Sequence, residues 1–318
     1  MKRLLAIGEA LIDFIPEETG KELKNVRGFQ PAVGGAPANV CGAFVKLGGE
    51  AAMITQLGAD PFGDKIADEF AACGIMGDYV KRTAEANTSL AFVALKNDGN
   101  REFSFYRKPG ADMLLRPEDV KEEWFEDVFA LHFCSVSLGD FPMKEAHRKA
   151  IQYAVEKGAI ISFDPNLRLQ LWEDPEKLRQ AILEFAPLSH VLKISDEELE
   201  FITGCSTIEE ALPKLLAGNT RMVIYTKGSQ GAECYTAHGK AFAASQKVKA
   251  VDTTGAGDGF IGSFLYRLAA AGVTAESLAE VTPEQMESHL KFANKFCGIS
   301  VTKRGAIASY PTMEEMGE

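Results

Sequence analysis

Short, solidly apolar runs alternate along this chain with longer stretches in which apolar positions recur every three or four residues, the spacing of one helix face. The first run predicts a buried strand over residues 4–7, with residues 8–13 running on from it and bringing Glu9 and Asp13 to a strand's carboxyl end. Gly34-Gly35-Ala36-Pro37-Ala38-Asn39 then opens a helix through Leu47, with Pro37 suited to its first position, and Leu47-Gly48-Gly49 stops it. A strand over 52–57 and a helix over 63–72, stopped at Cys73-Gly74, follow. Strand, helix and strand in this order imply a mostly parallel sheet covered by helices.

The alternation breaks in the next segment. Ser89-Leu90-Ala91-Phe92-Val93-Ala94-Leu95 and Glu102-Phe103-Ser104-Phe105-Tyr106 flank Lys96-Asn97-Asp98-Gly99-Asn100-Arg101, a hairpin signature with a glycine turn. Together with the irregular stretch 14–33, this segment is expected to form a small β lid (about 14–33 and 88–110), whose exposed edges a second subunit could pair with. After residue 110 the alternation resumes, with strands over 129–136, 159–163, 190–194, 222–226 and 232–235 and helices over 143–157, 175–185, 195–203 and 208–216. A further strand leads into a glycine-rich stretch, and the last amphipathic helix covers about 283–297. The fold class is α/β: three layers, α/β/α, around a mostly parallel sheet with a small β-sheet lid, in a single domain over 1–318.

The glycine-rich stretch, Val251-Asp252-Thr253-Thr254-Gly255-Ala256-Gly257-Asp258-Gly259-Phe260, organises the rest. After it Phe260, Phe264, Leu265 and Leu268 recur at helical spacing until Gly272, so it reads as a glycine turn feeding a helix. The first backbone N–H groups of a helix lack internal partners and carry partial positive charge, which makes a glycine-opened helix start a seat for phosphate. Asp258 sits inside that seat, where a carboxylate would repel the phosphate. Either it caps the helix or it acts chemically on what approaches. Gly257, Gly259 and Gly262 also match a dinucleotide fingerprint, but one placed too late for the unit that opens a nicotinamide-binding fold. A nicotinamide-dependent oxidoreductase is therefore the more remote reading.

Composition narrows the partners. The 318 residues carry a net charge of −11 and an isoelectric point near 5.1, which argues against nucleic acid or an anionic membrane. No apolar run reaches the length of a membrane span, and Glu9 comes too early for a signal peptide, so a cytoplasmic protein is expected. Six scattered cysteines without paired spacing read as reduced core residues. In an open parallel sheet, ligands collect at the carboxyl ends of the strands. Asp13, Gly34-Gly35, Asp164 to Arg168, Ser195 to Glu198, Thr226 to Gly228 and Asp252 to Asp258 are all placed there and should converge.

Gly34-Gly35-Ala36-Pro37-Ala38-Asn39 with Leu47-Gly48-Gly49, and Asp252-Thr253-Thr254-Gly255-Ala256-Gly257-Asp258, resemble the two signatures of the ribokinase-like PfkB carbohydrate kinases. The resemblance runs over nearly the whole chain, from Gly8-Glu9-Ala10-Leu11-Ile12-Asp13 to Val301-Thr302-Lys303-Arg304-Gly305-Ala306. It implies phosphorylation of a sugar by ATP, with Asp258 as general base and the amides of Gly255, Ala256, Gly257 and Asp258 as anion hole. Asp13, Gly34, Gly35 and Asn39 would hold the sugar, with Phe105 and Arg107 from the lid, and Arg168 would reach the sugar or the transferred phosphate. Lys193, Ser195, Thr226, Gly228, Gly255, Gly257 and Asn294 would meet ATP. Glu198 would order magnesium through water, with Ser195 where the family has asparagine. Asp252, Thr254, Ser300, Lys303, Gly305 and Ser309 would bind a monovalent cation, expected to be potassium, and the resemblance also suggests a homodimer formed through the lid. The stretches Phe163-Asp164-Pro165-Asn166-Leu167-Arg168 and Tyr106-Arg107-Lys108-Pro109-Gly110-Ala111-Asp112 look most like bacterial fructokinases, which points to the 6-hydroxyl of fructose. 2-Keto-3-deoxygluconate and aminoimidazole riboside are the alternative substrates, and a non-catalytic sugar-binding protein is the remote alternative from another class.

Overall fold

The computed structural model describes residues 2–95 and 101–317; residues 96–100, expected as the hairpin turn, lie outside the described residues. The chain opens with β1 (Arg3–Ile7), buried beyond Arg3 as a strand inside a covered parallel sheet must be. Then come β2 (Leu11–Pro16), β3 (Phe29–Gly34), α1 (Ala36–Lys46), β4 (Ala51–Gly58), α2 (Pro61–Cys73), β5 (Ile75–Met76), β6 (Val80–Thr83), β7 (Leu90–Leu95) and β8 (Arg101–Tyr106). The second part holds β9 (Val128–Cys134), α3 (Pro142–Glu156), β10 (Ile160–Asp164), α4 (Pro175–Phe185), β11 (Val191–Ser195), α5 (Asp196–Thr203), α6 (Ile208–Leu215), β12 (Met222–Thr226), β13 (Ala232–Thr236), β14 (Gly239–Ala243), α7 (Ala256–Ala270) and α8 (Pro283–Ser300).

The large sheet has the order β14-β13-β12-β11-β10-β9-β1-β4-β5, with β6 beside the far half of β4. From β12 to β5 it is parallel, and β13 and β14 close one edge antiparallel. Alternate residues of β10 feed opposite cores, Ile160 on one face and Ile161 and Phe163 on the other, as the two-residue period of a strand requires. Val40, Phe44, Ile261, Phe264, Leu290 and Phe296 fill the first core from α1, α7 and α8; Met143, Ile151, Ile182 and Phe185 fill the second from α3 and α4.

The expected lid is a sheet of its own, ordered β3-β2-β7-β8. Phe14 and Phe92 stack on it with ring centres 4.5 Å apart, and Phe29 meets both edge-on. Here the structure corrects the sequence reading: residues 8–13 do not continue β1. Gly8, at φ 152°, turns the chain out of the large sheet, and Leu11 to Pro16 pair with β3 and β7. Asp13 therefore stands on the small sheet, and the stretch 14–33 contains strand rather than being irregular throughout. The chain passes between the sheets four times, near residues 8–10, 34–35, 87–89 and 107–111. Among the described residues no helix is long and apolar enough to cross a membrane, and the six cysteines are free.

Candidate functional site

The glycine turn does what its sequence required. Gly255 takes φ 72° just before α7, and its carbonyl accepts a 2.7 Å hydrogen bond from the Tyr310 hydroxyl, which pins the turn. The Ala256 N–H turns back onto the Thr253 carbonyl (3.2 Å). Helix geometry leaves the next amides, those of Gly257 and Asp258, to point at a ligand. Asp258 lies in this first turn, only 6% exposed, and is clamped from two sides. Asn39 of α1 donates its side-chain N–H to Oδ2 (2.9 Å), and Asn166, from the loop after β10, donates to Oδ1 (2.9 Å). Burial raises the Asp258 carboxyl above the ordinary carboxylate range and the charge of Asp164 adds to it, while the Asn39 hydrogen bond and the charges of Arg168 and Lys193 pull it down. The carboxylate is thus a stronger base than an exposed one and is fixed in direction.

Behind it lies a buried ion pair. Lys193, in the middle of β11, places Nζ 2.7 Å from Asp164 Oδ2 at the end of β10. The ammonium is also 3.6 Å from the point that a Cβ on Gly257 would occupy, so it sits close under the first turn of α7. Burial works against its charge, but Asp164, Glu198 and Asp258 more than offset that and keep Lys193 protonated above its ordinary value. Glu198 is buried as well. Its Oε2 accepts from the Ser195 N–H (2.9 Å), half of a capping box at the start of α5, and its Oε1 from the Leu167 N–H (2.8 Å). The acidic helix start therefore also holds the loop that carries Asn166 and Arg168.

The remaining expected residues fall into three groups. Asp13 and Gly34 are neighbours across β2 and β3, close enough that a side chain on Gly34 would collide with the Asp13 carboxylate. A Cβ on Gly35 would lie 2.5 Å from the Glu9 carbonyl. Phe105 is half-buried on β8. Arg168 is exposed beside this cluster, with Nη1 on its own Leu167 carbonyl (2.9 Å). Thr226 ends β12, and Gly228, at φ 49°, leaves open space where its side chain would be. Asn294 spends a side-chain N–H on the Ala243 carbonyl (2.8 Å) and borders a cavity of about 530 Å³ between α8 and residues 244–246. Arg107 departs from expectation. Its guanidinium is buried and bonded to Asp112 (Nε 2.9 Å, Nη2 2.5 Å) because a buried cation needs a carboxylate, so it is committed to that pair rather than presented to a sugar.

The third group is the expected cation set, which gathers. Asp252 Oδ1 accepts from the Thr254 N–H (2.9 Å) and hydroxyl (2.6 Å), and Oδ2 from the Gly305 N–H (3.0 Å). Ser300 and Ser309 share a 2.7 Å hydrogen bond between hydroxyls, and the Lys303 N–H donates to the Ser300 carbonyl. The Asp252 N–H reaches the Val301 carbonyl (3.2 Å) and joins the two halves. Among the described residues no group of three or more His, Cys, Asp or Glu side chains is placed to hold a metal ion; the ligands available at this loop are oxygens of backbone and hydroxyl groups plus the Asp252 carboxylate.

Asn166 and Asp164 lie in the stretch 164–168 that was expected to converge, but neither was given a role of its own. Asn166 has φ 46°, the left-handed region in which asparagine is most often a turn residue, and that bland role hid it. The signal was a carboxamide directly after Asp164-Pro165 at the carboxyl end of a strand.

Comparison with known proteins is consistent along the whole chain. The family model described as "pfkB family carbohydrate kinase" matches residues 1–313. An Arabidopsis thaliana protein named probable fructokinase-2 is 42% identical over 310 residues, 97% of this chain and 93% of that protein. Among solved structures, fructokinase from Xylella fastidiosa with bound ATP superposes with a TM-score of 0.91 at 35% identity, covering 99% of this chain and 96% of that one. Fructokinase from Vibrio cholerae O395, solved with fructose, ADP and calcium, gives 0.87 at 31% identity, covering 100% and 98%; a double mutant of it was solved with fructose, ADP and potassium.

Proposed function

The chain belongs to the pfkB family of carbohydrate kinases, and on that premise we propose that it transfers the γ-phosphate of ATP to the 6-hydroxyl of fructose. The observation that carries the mechanism is the buried Asp258 carboxylate at the glycine-opened start of α7. In a phosphate seat a carboxylate is a liability for binding alone, and it is what a base beside the phosphate requires. Asp258 takes the proton of the sugar hydroxyl as its oxygen attacks the γ-phosphorus; the bond to the bridging oxygen breaks and ADP leaves with the electron pair. The Gly257 and Asp258 amides, with Gly255 and Ala256 shaping the turn, face the oxygens of the transferring group, and Lys193 and Arg168 supply positive charge.

Asp13, Gly34, Gly35 and Asn39 hold the sugar, and Phe105 walls it from the small sheet acting as a lid. Ser195, Thr226 and Gly228 line the phosphates and ribose, with Asn294 on the adenine side. Glu198 would order magnesium through water: each carboxylate oxygen already accepts a backbone amide and keeps one further lone-pair direction for a water of the ion's shell. Bound there, the ion would neutralise charge on the phosphates. The oxygen set around Asp252, Thr254, Ser300, Lys303, Gly305 and Ser309 suits a hard monovalent cation such as potassium. The whole chain acts as one kinase unit with its lid, and the edge of the small sheet, where Tyr106 is 62% exposed, is the surface through which two copies pair.

Sugar choice is tested by comparing kcat/KM for fructose, 2-keto-3-deoxygluconate, aminoimidazole riboside, ribose and glucose with magnesium and ATP. Fructose is expected to lead by about 10-fold or more, the scale on which small pocket differences discriminate. Another sugar in the lead would overturn the substrate and leave the mechanism standing.

The clamp on Asp258 makes a separate prediction. The deprotonated base is the active form, so activity rises with pH through the Asp258 pKa. Asn39→Ala removes a donor that lowers that pKa, and the acid limb of the pH profile of kcat/KM is expected to move to higher pH. A limb that stays in place would show that Asn39 does not tune the base.

A further inference from the structure

Residues in or directly beside each of the four passages between the sheets contribute to one buried polar cluster. Glu9, from the first, accepts from the Ala36 N–H just beyond the second (Oε1, 3.3 Å) and from the Ser137 hydroxyl (Oε2, 3.0 Å). Ser89, from the third, donates to Asp112 Oδ1 (2.5 Å). Arg107, from the fourth, holds Asp112 and sends Nη1 to the Val136 carbonyl (3.4 Å). Val136 and Ser137 are adjacent residues just after β9, so one short piece of the large sheet's end anchors both halves of the cluster. Glu9, Ser89, Asp112 and Ser137 are at most 3% exposed and Arg107 is 7% exposed.

The backbone is packed against this cluster without slack. A side chain on Gly35 would strike the Glu9 carbonyl, and one on Gly110 would lie 2.8 Å from Asp112 Oδ1 and 2.9 Å from Arg107 Cγ. Burying three ionisable side chains is costly, and a fold needing only cohesion at this point would be held as well by apolar residues. Directional hydrogen bonds offer what apolar contacts do not, a fixed angle between the two sheets. That angle sets how far Asp13 and Gly34 on the small sheet stand from Asp258 in the first turn of α7, which packs on the large one.

We propose that Glu9, Arg107 and Asp112 are positioning residues that set the angle of the small sheet over the site and so govern capture of the sugar. The proposal rests on the kinase reading above. None of the three has to touch the sugar. Burial pushes the Glu9 carboxyl up to about 7 against the pull of Arg107, with Asp112 adding to the rise.

Two variants test it: Glu9→Gln, which keeps shape but not charge, and the double variant Arg107→Met with Asp112→Asn, which removes both members of the ion pair and leaves Glu9 as the cluster's one ionisable side chain. Misplacing a binding group by about 1 Å costs on the order of 10- to 100-fold. KM for the sugar, and its affinity measured calorimetrically without nucleotide, are expected to weaken by about that factor while KM for ATP stays within about twofold and the unfolding midpoint of Glu9→Gln is little changed. The proposal is overturned if sugar and ATP constants move together or if neither moves in either variant. If the wild type ignores fructose but phosphorylates another sugar, the substrate assignment fails and the positioning role is read on that sugar. If no sugar is phosphorylated, the kinase reading fails and the positioning role with it.

Discussion

Asp258→Asn is expected to lower kcat on fructose by about 10³- to 10⁴-fold, the upper range for removing a general base, with KM for fructose and ATP little changed. The variant keeps the shape of the side chain and loses its basicity. Both carboxylate oxygens of Asp258 accept carboxamide N–H groups, from Asn39 and Asn166. An asparagine at 258 can satisfy only one of them, because its own amino group then faces the other. That mismatch costs about 1–3 kcal/mol, and removing a carboxylate that burial already disfavours offsets part of it. A modest change in the unfolding midpoint with a collapse in kcat is therefore the expected pattern. A variant that folds and retains more than about a tenth of wild-type kcat would exclude Asp258 as the base.

Lys193→Met should damage both stability and turnover. The Lys193 ammonium and the Asp164 carboxylate are 2.7 Å apart, with side chains 6% and 1% exposed. Removing one partner leaves a buried carboxylate whose remaining support includes the Asn166 N–H (3.1 Å on Oδ1). Breaking such a pair costs about 3–5 kcal/mol, read as a loss of denaturant resistance. Turnover is expected to fall by about 10²- to 10³-fold, since a positive charge beneath the phosphate seat is lost. Lys193 also lowers the Asp258 pKa, so the residual activity should have its acid limb displaced to higher pH. Adding Asp164→Asn separates the two effects. The double variant is expected to regain most of the stability, because the carboxylate paired directly with Lys193 is gone as well, and little of the activity. Recovery of both would mean that Lys193 serves only the fold.

The alternation of strands and helices was legible because each element of the large sheet carries its own period, as in β10, where Ile160 and Ile161 go to opposite cores. The start of the small sheet was not. Leu11, Ile12 and Asp13 look like a continuation of β1, and only the backbone turn at Gly8 sends them elsewhere. β3 was hidden by Pro31, which a strand tolerates at the edge of a sheet, the place β3 occupies. β5 and β6, of two and four residues, are too short for a period to show.

In the site, the glycine turn, Asp258 and Asn39 were readable because their chemistry is local or motif-borne. The bond from Asn166 to Asp258 was not, since the two are 92 positions apart. Arg107 was assigned to the sugar by resemblance, whereas Asp112, five residues on, claims it through a fold in the chain that sequence spacing does not display.

The most direct test is identification of the product made from fructose and magnesium-ATP. The account predicts one fructose 6-phosphate per ADP formed by the wild type, and at most a trace from Asp258→Asn. Phosphate on another carbon, ADP formation without a phosphorylated sugar, or an undiminished yield from the variant would contradict it.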